Sequence, residues 1–411
     1  MGGFQVSHGL FISALSSAGA IPKRLWMMSV AFFVSGMKTH KKEETMIKEA
    51  ISKGVSKRNL TEGEMEKVMR EILSGDASTG QIASFLTALR MKGETPEEVT
   101  AAAKVIKEKI TGMNGREDIV CLDREEITIE RETILRTTKG LDRGTNVFNI
   151  STATAFVVAG GGVKVAKSGR RSVSPFCGCA DVIEALGINL DMTSTQLERC
   201  LHEVGICFLY QPLFQNGLGS IISIREKIGI RTLFNLLDPL INPAGAKIQV
   251  LGVYEPGLTE TVAAVLRNLG IEKGLVFHGE DTLDEMSITG RTKVTEFRDG
   301  KTESYFVEPE DFGMKRGKLA EIGGGTKEEN ARIILEVLRG GRGAKRDITV
   351  LNAAAVLMIA GRAKDLNAGI ELANQSIDSG KALATLKNLV EFTRAEHRFT
   401  FSPYETAMPT D

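Results

Sequence analysis

The sequence predicts an α/β protein: a small all-helical N-terminal domain followed by a larger α/β domain with a mostly parallel central sheet. Three observations lead there. Capped amphipathic helical segments follow one another between 46 and 113. From 118 onward the hydrophobic period shortens, and strand-like runs alternate with helical ones, the pattern of βαβ units. The chain has 411 residues, of which 42% are hydrophobic and 25% charged, enough for a large core divided among two or three domains.

Residues 1–45 stand apart. An apolar run from Leu25 to Gly36 follows Lys23 and Arg24, but it falls short of the ~20 residues a membrane helix needs. Its leader is long and mostly not basic, unlike a signal peptide. Met28, Met37 and Met46 offer later starts, so the segment reads as a disordered or non-native extension, with a targeting segment or a docked helix as alternatives. The helical domain, 46–113, comes next. In "LTEGEMEKVMREILSG", Thr61 caps a helix whose apolar face is Met65, Val68, Met69 and Ile72, and Gly75 stops it. "STGQIASFLTALRMKG" and "TPEEVTAAAKVIKEKI" repeat the logic, with Pro96 at an early helical position.

Strands are expected at 118–123, 126–137, 247–254, 274–280 and across 292–307, with helices at 259–270 and 328–340 between or after them. "FNISTATAFVVAGGGVKVAKSG" reads as strand end, helix, glycine turn and strand. The stretch 195–237 reads as mostly helical and is expected to pack back on the N-terminal helices. The α/β domain is thus assigned to 114–194 and 238–393, and the tail 394–411 is expected to be loose.

Lys plus Arg and Asp plus Glu are each 52, so no global field favours nucleic acid or an anionic membrane, and an anion site must come from local clustering. The odd count of five cysteines does not suit a disulfide framework and points to a reducing, cytoplasmic setting. Between Thr133 and Arg171 lie Arg136, Lys139, Arg143, Lys164, Lys167, Arg170 and Arg171, against one acid, Asp142. Within that basic stretch Asn149, Ser151 and Thr152 open a helix, where free N–H groups and the helix dipole attract anions. Simple helix capping explains the same three residues equally well. In "HGEDTLDEMSITG", Asp284 and Glu285 offer hard oxygen ligands of the kind Mg²⁺ takes beside a phosphate; an exposed acidic loop is the plainer alternative. Cys177-Gly178-Cys179 lacks the second Cys or His pair of a zinc site, and no Gly-x-Ser-x-Gly elbow supports a serine hydrolase.

Six segments in order, "FNISTATAFVVAGGGVKVAKSGRRSVS", "CGCADVIEALGINLD", "GIRTLFNLLDPLINPAG", "HGEDTLDEMSITG", "LNAAAVLMIAG" and "SIDSGKAL", resemble the anthranilate phosphoribosyltransferases, from about 46 to 393. The resemblance implies a helical domain on an α/β domain, a homodimer, and a site at their hinge. It implies transfer of the phosphoribosyl group of phosphoribosyl pyrophosphate (PRPP) to anthranilate, a step of tryptophan biosynthesis, with Mg²⁺. By matching position it assigns substrate binding to Gly144, Asn149, Ser151, Thr152, Lys167, Arg171, Ser174 and Arg225, the last of these to the anthranilate carboxylate. It assigns metal binding to Ser151, Asp284 and Glu285.

The chain departs from that family at its loops. Lys139-Gly140-Leu141-Asp142-Arg143-Gly144 stands where the family has Gly-Thr-Gly-Gly-Asp-Gly, and only Gly144 keeps its identity. Those glycines let backbone approach a ligand closely, which side chains hinder. Ser168 and Arg170 replace a His and an Asn, Pro175-Phe176 replaces a serine–lysine loop, Cys179 replaces a serine, Gln215 to Leu218 replace His-Pro-Ala-Met, and Asp238 replaces a glycine. Three readings follow: the family's enzyme, in active or impaired form; a relative with another amine acceptor or phosphorylated ligand; and a non-catalytic paralogue that binds anions or nucleic acid.

Overall fold

The computed structural model describes residues 45–113, 132–137, 147–169, 178–210, 219–240, 246–281 and 283–401. The expected strand 118–123, the loop Lys139–Gly144 and nearly all of the 1–45 extension lie outside the described residues.

Among the described residues four helices come first: α1 Met46–Val55, α2 Glu62–Ser74, α3 Thr79–Lys92 and α4 Pro96–Met113. Their ends are set locally. Thr61 with Glu64, and Ser78 with Gln81, form reciprocal capping boxes, and Gly75 closes α2 in the left-handed region at φ 85°. The turn into α4 is fixed by a buried carboxylate: Glu98 accepts from Leu60 N at 2.7 Å, Thr95 N at 2.9 Å and Lys92 Nζ at 2.8 Å. The Lys92 and Glu98 side chains are 2% and 0% exposed, so this ion pair survives burial only because each end is saturated with partners.

Among the described residues seven strands form one sheet: β1 Glu132–Thr137, β2 Lys164–Gly169, β3 Ile206–Tyr210, β4 Ile248–Gly252, β5 Lys273–Gly279, β6 Thr292–Arg298 and β7 Lys301–Val307. Their order is β3-β2-β1-β4-β5-β6-β7. The first five are parallel, and β6 and β7 add antiparallel. Helices link the parallel strands: α5 Ile150–Gly160 after β1, α6 Cys179–Ala185 and α7 Ser194–Glu203 after β2, α8 Gly219–Ile228 and α9 Leu233–Leu240 after β3, and α10 Leu258–Asn268 after β4. Four more helices follow β7: α11 Lys327–Leu338, α12 Ala344–Ile359, α13 Leu366–Asp378 and α14 Lys381–Phe401.

Strand alternation divides the core in two. Val250, Leu275 and Phe277 join one apolar cluster with α5, α12 and α14, whereas their neighbours Leu251 and Val276 join a second cluster with α1 to α4 and α10. The helical module is therefore packed on one face of the central strands.

The structure sharpens three expectations. The stretch 195–237 is mostly helical, as expected, but not throughout: after α7 comes Gly205, at φ 84°, and Ile206–Tyr210 pairs with β2 as the edge strand β3. A five-residue apolar run has too short a period to separate strand from helix by sequence alone. Only α8 and α9, through Ile221, Ile224, Leu233, Phe234 and Leu237, enter the cluster of the N-terminal helices; Leu197, Cys200 and Leu201 of α7 enter the other. Residues 292–307 are a hairpin, turned at Asp299 (φ 51°) and Gly300 (φ 78°), the two positive angles that match the twist of the flanking strands. Finally, α14 continues to Phe401, into the stretch expected to be a loose tail.

Candidate active site

The sheet order reverses at β1. From β1 the chain crosses to β2 and β3 on one side, while β4 and β5 lie on the other. Such a reversal leaves a crevice beyond the carboxyl ends of the two strands where the directions diverge, here β1 and β4.

The first wall of that crevice is the start of α5, the helix that follows β1. Every residue from Ile150 to Val158 is buried, so the helix runs through the interior. Asn149, Ser151 and Thr152 are themselves only 1%, 5% and 0% exposed. Asn149 occupies the N-cap position yet makes no side-chain cap bond. Its Oδ1 instead accepts from Asn330 Nδ2 of α11 at 3.0 Å, and its Nδ2 has no partner among the described residues. Thr152 Oγ1 lies 3.4 Å from Cys179 Sγ at the start of α6, so the cysteine that replaces a family serine touches this same turn. Lys167, in the carboxyl half of β2, is 2% exposed and brings a buried positive charge to this end of the sheet.

The second wall is the loop between β5 and β6. Asp284 and Glu285 are 8% and 1% exposed, which rules out the plain reading of a solvated acidic loop. The loop is held from both sides. Asn352 of α12 accepts from Met286 N and donates to Met286 O, both at 2.9 Å, and also donates to Ile348 O at 2.8 Å. Asp281 accepts from the hydroxyls of Ser287 and Thr289, and Ser287 N donates to Thr292 Oγ1 at 2.9 Å. At the end of β4, a Cβ built on Gly252 would stand 1.7 Å from Asp284 O, so only glycine permits this contact. Gly252 is in register with Thr137 of β1, the strand that leads to α5. The carboxylate loop thus meets the sheet at the β1–β4 reversal.

The donor set suits Mg²⁺. Carboxylates and a hydroxyl are hard oxygen ligands, and no group of three or more His, Cys, Asp or Glu occurs among the described residues. A cation here would complete its shell with water and ligand oxygens, as Mg²⁺ characteristically does.

Other expected site residues are not brought into this picture. Gly144, Arg171 and Ser174 lie outside the described residues. Arg225 is half-buried on α8, with its guanidinium 5.9 Å from the Phe234 ring centroid, on the side of the N-terminal helices. Conversely, sequence reasoning missed Gly252, Asp281, Asn330 and Asn352. Asn352 left a trace, a lone amide in the apolar run "LNAAAVLMIAG". Asn330 left none, since an Asn one turn into a helix reads as ordinary surface.

A sheet that reverses beside a buried helix start and a pair of buried carboxylates suits a protein that handles an anion together with a cation, and the family models place the chain in the glycosyl transferase class. Residues 138–383 match the family model described as "Glycosyl transferase family, a/b domain", and residues 48–110 match its "helical bundle domain". The anthranilate phosphoribosyltransferase of Geotalea uraniireducens (strain Rf4) is 49% identical over 348 residues, covering 85% of this chain and 99% of the relative. That of Pelotomaculum thermopropionicum is 46% identical over 348 residues, covering 85% and 97%. Among solved structures, anthranilate phosphoribosyltransferase from Thermus thermophilus matches with TM-score 0.74 and 35% identity, over 84% of this chain and 99% of that one. The enzyme from Saccharomyces cerevisiae in complex with PRPP and Mg matches with TM-score 0.73 and 27% identity, over 87% and 100%. The chain belongs to the anthranilate phosphoribosyltransferase family.

Proposed function

We propose that this chain transfers the phosphoribosyl group of PRPP to the amino nitrogen of anthranilate, releasing pyrophosphate, with Mg²⁺ as its cofactor. The observation that carries the reading is the buried carboxylate loop packed on Gly252 at the end of β4, in register with the strand β1 that leads to the buried start of α5. The helix start supplies donors for an anion, the loop oxygens for a cation, and a magnesium pyrophosphate leaving group needs both.

In this reading the Asn149 amide and the Ser151 and Thr152 hydroxyls at the start of α5 hold the pyrophosphate, and Lys167 balances its charge. Ser151, Asp284 and Glu285 hold Mg²⁺, which when bound offsets the charge that builds on the departing pyrophosphate. Arg225 pairs with the anthranilate carboxylate. Bond cleavage at C1 leaves oxocarbenium character on the ribose, so the protein contributes chiefly by orienting the two substrates and neutralising the leaving group; it needs no nucleophile of its own.

The test is calorimetric titration of PRPP with Mg²⁺, followed by pyrophosphate release with anthranilate present. Magnesium-dependent binding and anthranilate-dependent release are expected. Binding without release would move the search to another amine acceptor, and no binding at millimolar PRPP would overturn the reading. A homodimer and a cytoplasmic location belong to the same proposal, the former checked by sedimentation. No described helix is long and apolar enough to cross a membrane.

A further inference from the structure

Asn149 and Asn330 form a hydrogen-bond relay whose direction is fixed at its far end. Gly325 N donates to Asn330 Oδ1 at 2.9 Å. A backbone N–H has only a proton to offer, so it determines which end of the Asn330 amide faces it: the oxygen. The nitrogen then faces the other way, and Asn330 Nδ2 donates to Asn149 Oδ1 at 3.0 Å. With its oxygen occupied, Asn149 presents Nδ2, a donor, as the end of its amide that remains to be satisfied. That atom is buried and has no partner among the described residues, in a side chain 1% exposed. An unmet donor in such a place costs free energy unless a ligand acceptor meets it.

The relay is closely packed. Asn330 is 2% exposed. A Cβ on Gly324 would come within 2.7 Å of both Asn330 Oδ1 and the Phe148 backbone, so the glycine turn before α11 presses Asn330 against the residue that precedes Asn149. Phe148 N in turn donates to Ile322 O at 3.1 Å, and Val147 bridges to Gly323, which ties the two segments together by backbone.

We propose that Asn330 is a positioning residue: through the sequence Gly325 N–H to Asn330 to Asn149 it holds the Asn149 amide with its nitrogen outward, as a donor for a phosphate oxygen of the diphosphate substrate. This rests on the reading of the α5 start as the pyrophosphate cradle and adds what sets that cradle's polarity. Asn330 touches no reacting atom in this scheme.

The test inverts the relay without changing its shape. Asn330→Asp keeps the acceptor for Gly325 N–H but replaces the donor facing Asn149 with a second acceptor. Asn149 then turns its nitrogen inward and presents oxygen to the phosphate. Wild type and variant are titrated with PRPP and Mg²⁺, and their melting temperatures and steady-state constants are compared. The loss of one charge-assisted hydrogen bond corresponds to about a ten- to hundred-fold weaker affinity. The expected result is such a weakening, with a matching rise in KM for PRPP, KM for anthranilate unchanged, and a folded variant. Wild-type-like PRPP affinity in folded Asn330→Asp overturns the relay while leaving the cradle intact. If Asn330→Asp does not fold, Asn330→Ala is read instead: with Asn149 free to take either orientation the expected weakening is smaller, about two- to five-fold, and wild-type affinity overturns the relay. Failure of wild type itself to bind PRPP overturns the cradle and the relay together.

Discussion

Asn352 grips Met286 by both of its backbone groups, taking the N–H and giving a proton to the carbonyl, each at 2.9 Å. Met286 directly follows Glu285, so a helix on the far side of the loop sets where the carboxylates stand. Outer groups that orient metal ligands typically change metal affinity by about 10- to 100-fold when removed. Asn352→Leu is expected to raise the Mg²⁺ concentration for half-maximal PRPP binding by a factor in that range. It should also cost about 1–3 kcal/mol of stability, because the Met286 groups are left buried and unmet. Magnesium titrations at saturating PRPP, with denaturant unfolding alongside, check both; an unchanged magnesium requirement would refute the positioning role.

Removing the carboxylates themselves should act in the opposite way on stability. Asp284 and Glu285 are nearly fully buried, and burial penalises charge. Asp284→Asn with Glu285→Gln keeps the shapes. It is expected to abolish magnesium-dependent binding of PRPP without lowering the melting temperature. Chelation of Mg²⁺ from wild type should reproduce the loss of binding. A large drop in melting temperature would mean that the pair is structural.

The contact between Gly252 and the Asp284 carbonyl leaves no space for a methyl group. Gly252→Ala must displace the loop or the end of β4, and overpacking of this kind costs about 1–3 kcal/mol. Activity should fall much further than stability, since the displaced loop carries the carboxylates proposed to hold Mg²⁺. Kinetics and thermal melts on the same preparation separate the two, and activity near that of wild type would show that the loop can shift freely.

Glu98→Gln isolates the buried pair in the helical module. Breaking one partner of a buried, saturated ion pair costs about 3–5 kcal/mol, because Lys92 is left charged and uncompensated. The double variant Lys92→Met, Glu98→Gln should be less destabilised than Glu98→Gln alone. Urea unfolding of the variants tests this, and a double variant worse than the single one would contradict it.

Acid should act through Asp378. Its carboxyl is held below the ordinary carboxylate range, chiefly by the hydrogen bond from Arg346, at 2.7 Å. A folded value below the unfolded one, which is about 3.9, means that the pair's stabilisation is present above pH ~4 and lost as pH falls through the folded value. The melting temperature of Asp378→Asn should lie below that of wild type near neutrality, and the gap should close below pH ~4. A gap that persists in acid would show that the charge of Asp378 is not what matters.

The helical module could be read along the chain because α2 and α3 carry their own start and stop signals: Thr61 with Glu64, Ser78 with Gln81, and Gly75. The strands 247–254 and 274–280 were equally legible, as apolar runs that stay buried on both faces of a parallel sheet. β3 was not, since its five residues match helix and strand alike and only pairing with β2 decides between them.

What the sequence by itself determined was the composition of the site. It supplied hydroxyls and an amide at the start of a helix, a basic stretch around them, a pair of carboxylates, and enough ordered motifs to place the chain in its family. What only the tertiary structure decided was which of these groups are held, and by what. Asn330 reaches Asn149 across 181 positions of chain, and Asn352 reaches Met286 across 66. Neither contact has a period or a spacing that a sequence could show. Each exists because α11 and α12 pack beside the sheet and bury amides whose bonding groups must then find partners, and burial is a property of the folded arrangement rather than of any one segment.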